Sequence, residues 1–146
     1  RVALTLHIGI GTFRPVAVED PAEHALHEER YRISQETAAA INRSRAAGGR
    51  VWAVGTTVVR TLESAVDDEG CVQPGSGTTG LFIRPPFNFQ VVDCLLTNFH
   101  LPRSTLLMLV SAFAGYDNTM AAYQKAVVFG YRFYSYGDAM AVVGHR

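Results

Sequence analysis

The sequence has 146 residues, enough for one compact domain with a buried core. Its 48% hydrophobic and 18% charged content excludes a disordered tail, and a formal net charge of zero leaves no general basic surplus for phosphate contacts. The longest apolar run, Leu106 to Ala114, is about half of the ~20 residues that a membrane-spanning helix needs.

No basic stretch followed by an apolar run signals export. Cys71 and Cys94 lack metal spacing and read as isolated reduced thiols of a cytoplasmic protein. Of the 13 basic residues only Lys125 is a lysine; arginines suit bidentate phosphate contacts, although genomic composition bias gives the same count.

In chain order, the apolar run Val2 to Ile8 reads as a buried strand entering the loop Gly9-Ile10-Gly11-Thr12. Glu19-Asp20-Pro21 opens a polar stretch, and Tyr31 to Ile33 a short strand. Ser34 caps an alanine-rich helix over Thr37 to Ala47, stopped by Gly48-Gly49. Val51 to Val54 is a second buried strand, and Gly55-Thr56-Thr57 turns from it into a helix over Val58 to Val66. Asp67 to Gly80 reads as a loop, Leu81 to Ile83 and Val91 to Leu96 as strands. Ser104 caps an apolar helix over Thr105 to Ala114 that Gly115 ends. Asp117 caps the next helix, which runs to about Phe129 and is ended by Gly130, and Ala139 to Val143 is a last strand. The alternation predicts a three-layer α/β/α sandwich with a mainly parallel sheet. The chain opens inside a strand-like run without methionine, so residues 1–146 read as one domain, incomplete at its N-terminal side.

Several segments carry groups that do chemistry. Gly9, Gly11 and Thr12 follow a strand, where glycines expose backbone N–H groups to an anion, or simply make a tight turn; Arg14 stands where a dinucleotide fingerprint has its third glycine. Glu23 to Glu29 gathers His24, His27, Glu28 and Glu29, a spacing that suits acid–base work, a metal, or a solvated helix face. Gly55 to Glu63 lies where open α/β sheets bind ligands, beyond a strand's carboxyl end, with Thr56 and Thr57 as hydroxyl donors or helix caps. Arg60 and Glu63, three apart, read as ligand contacts or as a surface pair. Asn98, Phe99 and His100 end an apolar strand before a capped helix, and Tyr131 to Asp138 interleaves aromatics with Arg132 and Asp138, for stacking or core packing.

Taken in this order the segments LHIGIGTFRPV, EHALHEERY, AVGTTVVRTLES, LLTNFHLPRSTLLMLVSAFAG and YRFYSYGDAM closely resemble the C-terminal part of the S-adenosylmethionine:tRNA ribosyltransferase-isomerases. Ile10, Gly80 and Pro86 depart from the family pattern at loop positions. The resemblance implies an α/β domain whose inserted β-barrel lies outside this sequence. It also implies transfer of the ribosyl part of S-adenosylmethionine to 7-aminomethyl-7-deazaguanine in tRNA. That ribose is isomerised to give epoxyqueuosine, with release of adenine and methionine. S-adenosylmethionine is then a consumed substrate rather than a cofactor, and no metal is expected. tRNA is the partner, no membrane is involved, and the oligomeric state stays open, a monomer included.

Such a reaction needs a base beside the sulfonium, help for adenine departure, and polar groups on the ribose. Within the matched segments, His27 with Glu29, and His100, are the candidates for proton transfer, with Asp138 or Glu63 orienting the amine or sugar. Gly9, Gly11, Thr12, Thr56, Thr57, Arg60 and Asn98 are candidates for binding, and Tyr134 and Phe99 for stacking on adenine. Rival readings are a noncatalytic nucleotide- or RNA-binding module, a metal-dependent hydrolase on His24, His27 and Glu29, and, more remotely, a methyltransferase.

Overall fold

The structure, a computed structural model, describes residues 1–9 and 27–144. Two three-stranded sheets share one apolar core. The first sheet is antiparallel in the order β1 (Thr5–His7), β2 (Glu29–Ile33), β4 (Gly75–Thr79). The second has the order β3 (Trp52–Val54), β5 (Cys94–Asn98), β6 (Ala139–Val143), with β3 parallel and β6 antiparallel to the central β5.

Helix α1 (Gln35–Ala46) starts where Ser34 accepts a bond from the Thr37 N–H at 3.1 Å, and it buries Thr37, Ala38 and Ile41. Helix α2 is Thr56–Ser64. Helix α3 (Thr105–Ala114) has Ser104 as its cap and buries Leu106, Leu109, Val110 and Phe113. Gly115, at φ +84°, ends it and begins α4 (Tyr116–Val128), so Asp117 sits in the first turn instead of capping. Ile33, Ile41, Ala53, Val59, Leu62, Leu95, Leu109 and Phe113 meet in the main core. A smaller aromatic cluster forms beneath the β5–α3 loop, where the Phe99 ring lies 5.3 Å from Tyr123 and 5.3 Å from Phe133.

The mixed α/β class follows the expected alternation, but the expected mainly parallel sheet is not what these strands form: β3–β5 is the one parallel pairing among the described strands. Two helical passes, α3 and α4, separate β5 from β6, and β6 returns antiparallel. A strand also forms at Gly75–Thr79, inside the expected loop. Gly77 fits there because the Tyr31 ring of β2 lies where a Cβ would be. Conversely Leu81 to Ile83 is not a strand, since Arg60 Nε takes the Leu81 carbonyl at 2.9 Å. The expected strand from Val91 starts only at Cys94, because the N–H groups of Val91 and Val92 bond the Glu63 carboxylate. One face of the second sheet packs on the core through Ala53 and Leu95. The other presents Trp52, Val54, Leu96, Ala141 and Val143 uncovered among the described residues.

Candidate functional site

Because β3 and β5 run parallel, their carboxyl ends open together, and the backbone joins them where the Gly55 N–H donates to the Leu96 carbonyl at 2.8 Å. A cleft of about 370 Å³ lies there. Thr56, Thr57, Thr97, Asn98, His100 and Tyr134 furnish its polar lining, and Leu6, Ile8, Val54, Leu101 and Leu106 its apolar walls. It occupies the position that open α/β sheets give to ligands.

Gly55 takes φ +99°, a left-handed conformation open to glycine, so the strand can turn into α2 without an intervening loop. Thr56 and Thr57 therefore fall in the first turn of the helix, 7% exposed each, and no side chain caps the helix. On the other wall, His100 Nε2 lies 3.0 Å from Thr97 Oγ1, and the His100 backbone N–H donates to the Tyr123 hydroxyl at 2.9 Å. Burial pushes the His100 pKa down to about 4, so its ring is neutral at pH 7. Burial likewise raises the Tyr123 hydroxyl pKa, against the lowering effect of the bond from His100. Tyr134 adopts φ +72°, held by its N–H to the Phe99 carbonyl at 3.0 Å and by its own carbonyl accepting from Gly137. The residue is 58% exposed beside the cleft. A non-glycine residue in that region is a strained conformation found disproportionately at ligand clamps.

Of the residues singled out in the sequence, Thr56, Thr57, Asn98, His100 and Tyr134 are brought together here. Asp138 stands just outside: its carbonyl accepts from Asn98 Nδ2 at 3.3 Å. The Arg132 backbone N–H, then the Arg132 guanidinium, hold its carboxyl below the usual range. Phe99 is buried in the aromatic cluster. Gly9 is exposed and absent from the cleft lining, and His27 is exposed. Gly11, Thr12 and His24 lie outside the described residues.

Glu29, Arg60 and Glu63 are elsewhere, in the interior. Arg60 Nη1 meets Glu29 Oε2 at 3.0 Å, with the side chains 3% and 1% exposed. The guanidinium also bonds the carbonyls of Leu81 and Thr79. Burial lowers the Arg60 pKa and the Glu29 charge opposes that shift. Glu63 does not pair with Arg60 as a surface partner; its carboxylate accepts the N–H groups of Gln90, Val91 and Val92 at 2.8–3.0 Å. Thr97 and Tyr123 escaped sequence reasoning. The i, i+3 spacing of Thr97 to His100 was a readable signal, whereas Tyr123 arrives from α4, 23 residues on.

Against known proteins, the family model for "Queuosine biosynthesis protein" matches residues 1–142. The chain is 59% identical to the S-adenosylmethionine:tRNA ribosyltransferase-isomerase of Symbiobacterium thermophilum, over 96% of this chain and 41% of that protein. It is 61% identical to the enzyme of that name from Thermus thermophilus, over 96% and 40%. Its structure is similar to the crystal structure of S-adenosylmethionine tRNA ribosyltransferase from Thermotoga maritima. The TM-score is 0.75 at 46% identity, over 96% of this chain and 44% of that one. The chain thus spans about two fifths of the length of these relatives, in their C-terminal part. A match over nearly all of this sequence, by sequence and by fold, means that the chain belongs to the queuosine biosynthesis protein family.

Proposed function

We propose that the full-length protein is an S-adenosylmethionine:tRNA ribosyltransferase-isomerase. It transfers the ribosyl moiety of S-adenosylmethionine to 7-aminomethyl-7-deazaguanine in tRNA and isomerises it to epoxyqueuosine, releasing adenine and methionine. The observation that carries this reading is the identity of 59–61% to enzymes of that name, spread over 96% of the chain that builds the cleft. S-adenosylmethionine is a consumed substrate, tRNA the partner, and no further cofactor or metal is invoked; the setting is the cytoplasm. No described helix is long and apolar enough to cross a membrane. Residues 1–146 are assigned to the C-terminal part of the α/β catalytic domain. The apolar face of β3–β5–β6 and the edge of β3, uncovered and unpaired among the described residues, support the finer expectation of a three-layer sandwich with further parallel strands.

Within this reading the cleft divides the work. Asn98 and the two threonines hydrogen-bond the ribose or methionine portion, and Tyr134 stacks on a planar base at the rim. His100, held neutral, takes part as a hydrogen-bonding group whose ring is fixed by Thr97, ready to accept a proton only from a strongly acidified carbon such as one beside a sulfonium. His27 remains a proton-transfer candidate, and Gly9, Gly11 and Thr12 remain candidates for anion contacts. Glu29, Arg60 and Glu63 are assigned to holding the frame, and Asp138 to placing Asn98.

The test supplies the full-length protein with S-adenosylmethionine and tRNA bearing the aminomethyl-deazaguanine, then follows adenine release and the mass of the modified nucleoside. Adenine together with epoxyqueuosine is the expected result. Binding of both substrates without adenine release would replace the enzyme reading with a noncatalytic nucleotide- or RNA-binding module.

A further inference from the structure

The N-terminal end of α2 is unfinished in a way that the other helix facing the cleft is not. Ser104 caps α3 by accepting the Leu107 N–H at 3.2 Å. Among the described residues no side chain does this for α2, although its first-turn N–H groups have no acceptor within the helix. Thr56 and Thr57 are each more than nine-tenths buried and line the cleft, yet neither hydroxyl has a hydrogen-bond partner among the described residues. Both hydroxyls stay open to the cleft, side by side at the positive end of a helix dipole, whereas the fully buried side-chain oxygen without a partner among the described residues is Thr61 Oγ1, further along the same helix.

We propose that this end of α2 is an oxyanion seat, and that its occupant is the α-carboxylate of the methionine half of S-adenosylmethionine. The proposal rests on the reading of the cleft as a ribosyl-transfer site. Backbone N–H groups of the first turn and the two threonine hydroxyls supply converging donors for two carboxylate oxygens. A carboxylate suits the seat better than an RNA phosphate for two reasons. Among the described residues lining the cleft there is no arginine or lysine, whereas proteins that follow a phosphate backbone recruit cations. The walls beside the seat are Val54, Val58 and Leu106, which fit the methylene chain of an amino acid rather than a sugar–phosphate strand. The carboxylate would anchor the methionine end at α2 and leave the ribose to face Asn98 and His100 across the cleft.

The test compares S-adenosylmethionine with its decarboxylated form, which keeps the sulfonium, ribose and adenine. Calorimetric affinities for the full-length protein are expected to favour the carboxylated form by ~10-fold or more. The double variant Thr56→Val/Thr57→Val should lose most of that preference by weakening S-adenosylmethionine alone, while Thr56→Ser/Thr57→Ser should retain it. Equal affinities in the wild-type protein, or an unchanged preference in the valine variant, would overturn the seat, and the wild-type comparison stands even if the variant fails to fold. Weaker tRNA binding in the valine variant with the preference intact would give the seat to a phosphate and also overturn the proposal. Adenine release with equal affinities sinks the seat alone; no binding and no adenine release sinks the ribosyl-transfer reading with it.

Discussion

The two ends of α2 are furnished in opposite ways. Towards its carboxyl end, Arg60 is locked to Glu29 and to two carbonyls, and Glu63 takes three backbone N–H groups, so the charged groups there are saturated. At its amino end the groups are neutral, and the hydroxyls of Thr56 and Thr57 have no hydrogen-bond partner among the described residues. The charged end holds β2, β4 and the loop before β5 in place, and the neutral end faces the cleft. In this molecule a strong acid or base is therefore a poor guide to the ligand site, and a pair of hydroxyls left open to a cleft is a better one.

That contrast can be broken at several points. The largest effect is expected for Glu29→Gln, which strands a buried guanidinium and should cost about 3–5 kcal/mol in urea unfolding of the full-length protein. A near-neutral result would remove the pair from the frame. Glu63→Ala leaves three backbone N–H groups facing a vanished carboxylate, and a loss of about 3 kcal/mol is expected by the same measurement.

His100 sharpens the comparison through pH. Its folded pKa of about 4 lies below the unfolded value of 6.5, so the unfolded state binds the proton first as pH falls. Its contribution is intact above pH 6.5 and is lost progressively down to about pH 4, roughly 3 kcal/mol in all. Denaturant titrations at pH 7 and pH 4.5 should show this loss in the wild-type protein and a smaller one in His100→Asn. Equal losses in both would mean that the ring is not shielded. The smallest stability effect belongs to Tyr134→Gly. It relieves a left-handed backbone and should leave stability unchanged or raise it by about 1 kcal/mol, while the KM for the substrate stacked there rises severalfold. A stability loss without any change in KM would make the tyrosine structural.

Much of this architecture is legible locally. Ser34 and Ser104 begin helices because a hydroxyl before an apolar periodic run satisfies an orphan N–H, and Gly115 stops α3 because it accepts φ +84°. The strand-to-helix turn at Gly55 placed Thr56 and Thr57 in the cleft, and the strand-end position of Asn98 and His100 did the same. What local pattern could not show is where a side chain from afar would replace a sheet partner. Leu81 to Ile83 has the composition of a strand, yet Arg60, 21 residues earlier, takes the Leu81 carbonyl. Val91 and Val92 are claimed by Glu63, 28 and 29 residues away. Gly75–Thr79 reads as a loop because the fit between Gly77 and the Tyr31 ring appears only after β2 and β4 pair. The acid–base cluster around Glu29 was legible as a concentration of charge, but its burial against Arg60 turned that charge inward.

The uncovered face of the second sheet carries Trp52, the sole tryptophan of the sequence, 51% exposed on the edge strand β3. Its indole emission is thus a built-in optical gauge of that face, read without a label and undiluted by any other tryptophan within residues 1–146. Wherever the face is wet the emission maximum lies towards the red and a neutral quencher such as acrylamide reaches the ring; wherever the face is covered the maximum moves to the blue and quenching falls.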